Sequence, residues 1–359
     1  TLLGYCNFAL ISALAWCLQR IPFGRDLYRY LDSLFARSDI DARLIPLGAP
    51  DLVFAGDVFG EADLFFLRAA RRLGIPTVGM IRSWDNTTTK GVLRFFPDSI
   101  IVNSGVIQEE LNRIHGFPIE RTHVVGLPQF DAWVAGPTMS REEFLASLGV
   151  SSSKRLLLFA PAGSVLSSTD WQLCSLLQQA LDDGRLPSDT HILVRNHPAH
   201  PADLSRFQED NRFTIESPGS RIVDGDFKGA ELTPKDDEHL RNSIYYSDMV
   251  MYIATSLGLD ASVFNKPQII VSFDGWEKKP YVQSVERYNQ EDCLANIIRR
   301  KGTQVVRSEE EWIGAIQRYL VDPTADSEGR QRATQDFLFS SDGKASARIA
   351  QVLLQHLTS

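Results

Sequence analysis

Short runs of β-branched and apolar residues recur along the chain. Most are followed by a polar cluster and then by a segment with apolar positions at helical spacing. Asp51–Asp57 (strand then turn), Thr77–Ile81, Ser99–Asn103 and His123–Gly126 form one such series; Leu156–Ala160, His191–Arg195, Phe213–Ile215, Met249–Ile253 and Gln268–Ser272 form a second. Runs this apolar suit strands buried on both faces. Between them, Ala62–Leu73 and Ser104–His115 read as helices, each followed by a glycine, Gly74 or Gly116. Asp170–Leu181, Lys235–Ser247 and Asp260–Asn265 read as further helices, and others are expected near 308–320 and 343–357. Alternation of this kind predicts an α/β protein with mostly parallel sheets.

Residues 127–153 interrupt the pattern with Pro, Gly and Ser, apart from a short helix from about Arg141 to Leu148 that Ser140 can cap. The expected organisation is therefore an N-terminal domain at 1–135, a linker at 136–153, a C-terminal domain at 154–340 and a closing helix at 341–359. Residues 217–234, rich in Gly, Pro and Asp, read as a long surface loop.

The chain has 359 residues, 43% apolar and 23% charged, enough for two domains with cores of their own. A net charge of -8 argues against a nucleic-acid partner. Cys6, Cys17, Cys174 and Cys293 match no metal-binding spacing and read as reduced thiols, and no metal is expected. Thr1–Gln19 is uncharged and largely apolar. A buried first helix fits it better than a membrane span, and a strand preceding it is expected upstream.

Polar clusters at the ends of the apolar runs hold the candidate chemistry, since ligands of open α/β sheets bind beyond the carboxyl ends of strands. Trp84, Asp85, Asn86 and Lys90 follow the second run. Asp85 can accept a proton from a hydroxyl, and equally can cap a turn. Gly163 and Ser164 follow the first strand of the second series, where backbone N–H groups can meet a phosphate. Arg195 and His197 flank Asn196 at the next strand end and offer donors to phosphate. Thr255 and Ser256 precede a helix, as anion ligands or as plain caps, and Asp260 on that helix can accept from ribose hydroxyls. Trp276, Tyr281 and Tyr288 can stack on a base or sugar, or pack in a core.

An ordered series of short motifs resembles the CDP-glycerol glycerophosphotransferases and related bacterial surface-polysaccharide transferases of the GT-B glycosyltransferase superfamily. Trp84-Asp85 with Lys90-Gly91 resembles their Trp-His-Gly…Lys segment, and Val125–Asp131 their VGxPxxD run. Asn196-His197-Pro198 resembles the His-Pro motif. Thr255-Ser256, Asp260 and Asn265-Lys266-Pro267 resemble the Ser-Ser…Asp/Glu…Lys-Pro segment, and Asp342–Ile349 the DGxASxRI helix. Asp85 stands where that group has His.

The resemblance implies two Rossmann-like domains facing across a cleft, with a CDP-, CMP- or UDP-type donor held by the C-terminal domain. Gly163, Ser164, Arg195, His197, Thr255, Ser256 and Asp260 would contact that donor. Trp84, Asn86 and Lys90 would contact a glycan or lipid-linked acceptor, with Asp85, Arg195 and His197 as the catalytic set. It implies metal-independent transfer without a cofactor, in the cytoplasm or at the inner face of the cytoplasmic membrane. A UDP-sugar 2-epimerase-like enzyme and a non-catalytic nucleotide- or glycan-binding relative are the competing expectations.

Overall fold

The computed structural model describes Ala13, Trp16, Arg20, Ile21 and residues 23–35, 50–221 and 230–357. Most of the expected first helix, with Cys6 and Cys17, and part of the 217–234 loop lie outside the described residues. The chain divides into two compact units, Thr1–Pro128 with Lys344–Ser359, and Gln129–Gly343.

The first unit contains α1 (Gly24–Phe35), β1 (Val53–Ala55), α2 (Glu61–Arg72), β2 (Thr77–Met80), α3 (Asn86–Thr89), β3 (Ser99–Val102), α4 (Gly105–Glu110) and β4 (Thr122–Val124). Its four strands are parallel in the order β1-β2-β3-β4. Every residue of β2 and β3 is buried, which is why both read as unbroken apolar runs. Glu61 and Asp63 open α2 and Arg71 and Arg72 close it, matching the helix dipole at both ends. Ser104 caps α4 by accepting from the Ile107 N–H, and the helix runs on as a π-helical turn, Leu111–His115.

The second unit begins with α5 (Arg141–Ser147), β5 (Arg155–Ala160), α6 (Asp170–Asp182), β6 (Thr190–Arg195) and β7 (Phe213–Glu216). A two-residue antiparallel pair, β8 (Ser220–Arg221) and β9 (Ala230–Glu231), lies within the expected loop. Then follow α7 (Pro234–Tyr246), β10 (Met249–Tyr252), α8 (Leu257–Val263), β11 (Gln268–Val271), α9 (Asp292–Arg299), β12 (Gln304–Val306), α10 (Glu309–Val321) and α11 (Ser327–Leu338). Six parallel strands stand in the order β12-β11-β10-β5-β6-β7. β5, the first strand of this sheet in chain order, thus lies inside it, and the chain winds to one side through β6 and β7 and then to the other through β10. The reversal falls between β5 and β10, and ligands of doubly wound sheets bind at such a point.

Two boundaries differ from the sequence expectation. Residues 136–153 are part of the second unit and not a linker. Ser140 and Glu143 form a capping box on α5, the Thr138 N–H donates to Asn242 Oδ1 at 2.9 Å, and Arg141 Nη1 donates to the Tyr246 carbonyl at 2.8 Å. The Pro, Gly and Ser content that suggested a linker instead serves turns strapped to α7. The closing helix, α12 (Ala345–Leu357), belongs to the first unit, where Ile349, Val352 and Leu353 pack with Val78, Met80, Ile101 and Val125.

The Asn265-Lys266-Pro267 segment lies at the amino end of β11, away from the carboxyl ends that carry the candidate chemistry. The Asn265 carbonyl and Oδ1 both accept from Arg330 Nε, at 3.1 and 2.9 Å. Arg330 is fully buried and also donates to the Ala325 and Pro323 carbonyls. A buried cation is tolerated here because carbonyl oxygens surround it.

Candidate functional site

Three strand ends of the second unit come together at the reversal point. Past β10, Ala254 has φ 47°, a left-handed conformation that strains any residue with a Cβ. It delivers Thr255 and Ser256 to the start of α8. Ser256 occupies the capping position without making a side-chain cap bond, and neither hydroxyl has a hydrogen-bond partner among the described residues. Both are therefore available to a ligand, and the plain capping role does not apply.

Past β5, Gly163 has φ +84°, and a Cβ built on it would stand 2.3 Å from the His200 carbonyl oxygen. Its N–H donates to Asp170 Oδ2 at 2.8 Å, and the Ser164 N–H donates to the His200 carbonyl at 3.0 Å. This corrects the sequence expectation: the two N–H groups assigned to phosphate are engaged within the protein. Gly163 instead lets the β5 loop lie directly against the His197–His200 loop. Ser164 keeps an exposed hydroxyl.

Past β6, Asn196 is buried and ties its loop down by accepting the Ala202 N–H at 3.1 Å. His197 is exposed, and its Nδ1 accepts the Ala199 and His200 N–H groups at 3.2 Å each. Those two bonds assign the proton to Nε2. Partial burial and the neighbouring His200 hold the imidazole below its usual pKa, so it is a neutral ring with a donor at Nε2.

Arg195, the last residue of β6, is only 9% exposed. Its Nη1 lies 3.5 Å from Glu216 Oε2, and its Nη2 donates to the Asp236 carbonyl at 3.3 Å. Glu216 is held in turn by His239 Nε2 at 2.6 Å. Asp260, half-buried on α8, has no hydrogen-bond partner among the described residues. Burial, aided by Asp237 and opposed by Arg195, pushes its pKa up to about 7. The folded protein thus holds a proton that an exposed carboxyl would release, and stability falls as pH rises from about 4 to about 7. Asp170, raised to about 6 chiefly by burial, acts in the same direction. Asp260→Asn is therefore expected to flatten, without abolishing, the fall in thermal stability between about pH 4 and about pH 7. A wild-type slope in the variant would refute the Asp260 assignment.

In the first unit, Asp85 directly precedes α3 at the carboxyl side of β2. Its carboxylate accepts from the Ser83 hydroxyl and, at 3.1 Å, from Thr89 Oγ1; its carbonyl accepts from Thr88 Oγ1 at 3.0 Å. Its side chain makes no cap bond to a backbone N–H; it is tied into the turn through these hydroxyls instead. Trp84 and Asn86, expected to touch an acceptor, are buried at 9% and 2% exposure. Thr89 and Lys90 are the exposed residues of this turn. Lys90 is exposed and lines a pocket of about 230 Å³ with Tyr28, Phe59, Glu61 and Arg94. Asp57 and Glu61 are paired with Arg82 and Arg94.

Two residues the sequence did not single out fix this turn. Glu110 accepts from the Thr87 hydroxyl. His115, buried, accepts the Leu93 N–H at Nδ1 (3.1 Å) and donates from Nε2 to the Thr87 carbonyl (2.8 Å). Burial is the main reason its pKa lies below the usual histidine range, so it stays a neutral bridge.

These features sit on an α/β protein with two parallel sheets, and the comparisons give its family. The model of the CDP-glycerol:poly(glycerophosphate) glycerophosphotransferase family matches residues 94–355, and the chain belongs to that family. It is a transferase of the surface-polysaccharide type. Among solved structures, the wall teichoic acid polymerase TagF is similar at 13% identity and a TM-score of 0.52, over 94% of this chain and 98% of that one. Staphylococcus aureus MnaA with UDP matches at 14% identity and 0.57, over 89% and 80%. The Neisseria meningitidis UDP-GlcNAc 2-epimerase bound to UDP-GlcNAc matches at 12% and 0.56, over 88% and 79%. At these identities the structures establish the GT-B fold, while the family match separates the transferase class from the epimerases. No curated protein matches the sequence.

Proposed function

We propose that the chain transfers a polyol phosphate or sugar from a CDP-type nucleotide donor to a glycan or lipid-linked acceptor during surface-polysaccharide synthesis. The observation that supports this reading is the placement of Arg195 and His197 past β6 and of Thr255, Ser256 and Asp260 past β10, on either side of β5, with Arg195 close enough to Asp260 to act on its charge. In the polyol-phosphate case, an acceptor hydroxyl oxygen attacks the β-phosphorus, the bond from that phosphorus to the bridging oxygen breaks, and CMP leaves. Arg195 and the His197 Nε2–H meet the charge that gathers on the departing phosphate. The Thr255 and Ser256 hydroxyls donate to phosphate oxygens, and Asp260 accepts from ribose hydroxyls.

Asp85 takes the proton of the attacking hydroxyl, with Lys90 beside it as an acceptor contact. In this reading no metal or cofactor takes part, so chelators leave the rate unchanged. Among the described residues no helix is long and apolar enough to cross a membrane. Peripheral work at the inner membrane face is supported by exposed Phe23, Leu31 and Leu34 in and beside α1.

The test is CMP release from CDP-glycerol in the presence of a lipid-linked glycan primer. Wild type should release CMP, and Asp85→Asn should lose about 100-fold or more in rate. An unchanged rate in Asp85→Asn removes that residue as the base. If wild type instead epimerises UDP-GlcNAc without any acceptor, the transfer reading falls.

A further inference from the structure

The second unit also carries a cleft of about 580 Å³ lined by Trp171, Asp203, Ser205, Arg206 and Glu209, none of them among the candidate donor residues. Its size lies in the range of small-ligand sites, roughly 300–1,000 Å³. Trp171 is the aromatic residue of the lining, and Trp276 adjoins it from outside. Trp171 meets Trp276 edge to face, with centroids 5.2 Å apart, and the Arg206 guanidinium lies 4.3 Å over the Trp171 ring. Trp276 is 56% exposed, an unusual placement for so large an apolar ring.

That exposed indole is not on a loose loop. The Trp276 and Glu277 N–H groups both donate to Oε1 of the buried Gln172, at 3.1 and 3.3 Å. Lys279 Nζ donates to Ser168 Oγ at 2.9 Å, pinning the same segment a few residues on. The ring is thus held in place before any ligand arrives, which lowers the ordering cost of binding. The polar groups of the cleft are equally ready. Glu209 has no partner among the described residues, Arg206 makes no hydrogen bond there, and Asp203 uses one oxygen for Ser205.

We infer that this cleft binds a neutral oligosaccharide, with a pyranose ring stacked on Trp276 and its hydroxyls bridged by Glu209, Asp203 and Arg206. A sugar ring offers an apolar C–H face beside hydroxyls that both donate and accept, and the cleft offers an indole beside acceptor carboxylates and a donor guanidinium. Two carboxylates against one cation disfavour a phosphate-bearing chain. The inference does not depend on the donor assignment, because none of these residues serves it.

The experiment titrates the full chain with chitotetraose and with cellotetraose, using poly(glycerol phosphate) as the anionic control and CMP as the nucleotide control. Binding is read by calorimetry and tryptophan fluorescence. Saturable binding of a neutral tetrasaccharide is expected, weakened about 10-fold or more in Trp276→Ala and several-fold in Glu209→Gln, with CMP affinity unchanged in both. Glu209 has no partner to lose, so the second variant keeps the test readable if the first fails to fold. The inference is overturned if neither tetrasaccharide binds at millimolar concentration, if neither variant weakens binding, or if only poly(glycerol phosphate) binds. It is also overturned if Trp276→Ala loses CMP affinity, since the ring would then belong to the donor site. Absence of CMP binding to wild type would count against the donor reading alone.

Discussion

Arg195→Ala is expected to lower CMP release from CDP-glycerol by about 10³-fold while leaving the secondary structure intact. The argument begins with placement. Arg195 closes β6, a strand buried at every residue, so its backbone is as fixed as any in the second unit. Glu216, opposite it on β7, and the Asp236 carbonyl at the start of α7 hold the guanidinium from two sides. A donor aimed in advance at the position where charge develops costs no reorganisation during the reaction. Removing it also leaves Glu216, Asp236 and Asp260 with less opposing charge in a partly buried setting. Asp260 would then be raised further above about 7, because Arg195 is what opposes the shift.

CMP affinity should therefore fall together with turnover, since both lose the same cation. Arg195→Lys should recover part of the affinity and little of the rate, because an ammonium cannot reproduce the planar fork. Calorimetry with CMP and steady-state CMP release on the same preparations separate these effects. Wild-type turnover in Arg195→Ala would end the assignment.

Much of the fold could be read in the sequence for a physical reason: strands such as Leu156–Ala160 are buried on both faces and leave an unbroken apolar record. The same reason hid β12, whose three residues Gln304–Val306 are too few to make a pattern. It hid α11 as well, where the buried stripe includes Gly329 and Arg330 among charged neighbours. The domain boundary was misplaced because composition records where turns are and not what they pack on; α5 and its flanks bond to α7 over a separation of about a hundred residues.

At the candidate site, strand-end position found Arg195, His197 and Thr255-Ser256, since chain order there determines spatial order once the sheet is parallel. Partners could not be found this way. Glu110 and His115 carry no local mark of a role, because their targets, Thr87 and Leu93, lie in another segment. The burial of Trp84 and Asn86 was hidden for a related reason. A polar cluster after a strand looks outward as a whole, and which members face the core depends on where α3 starts.

Gly163 is the instructive case, and Gly163→Ala is expected to be among the most damaging single-methyl changes in this chain. The new Cβ meets two obstacles at once. At φ +84° an alanine is strained whatever its surroundings, and its Cβ would sit 2.3 Å from the His200 carbonyl oxygen and 3.3 Å from His197 Cβ. The obstructing atom is backbone, so it cannot swing aside as a side-chain tip would. Nor is the loop free to drift, because His200 accepts the Ser164 N–H and Asn196 fastens Ala202. Strain and clash together should cost about 2–4 kcal/mol of stability, read by urea unfolding. The loop that yields is the one carrying His197, whose Nδ1 bonds to the Ala199 and His200 N–H groups set the Nε2 donor. Folded Gly163→Ala protein should therefore lose nucleotide affinity, even though the Gly163 N–H never reaches a ligand. Gly163→Ala with wild-type stability and CMP affinity would show that the two loops separate at little cost, and would remove the link drawn here between glycine and histidine.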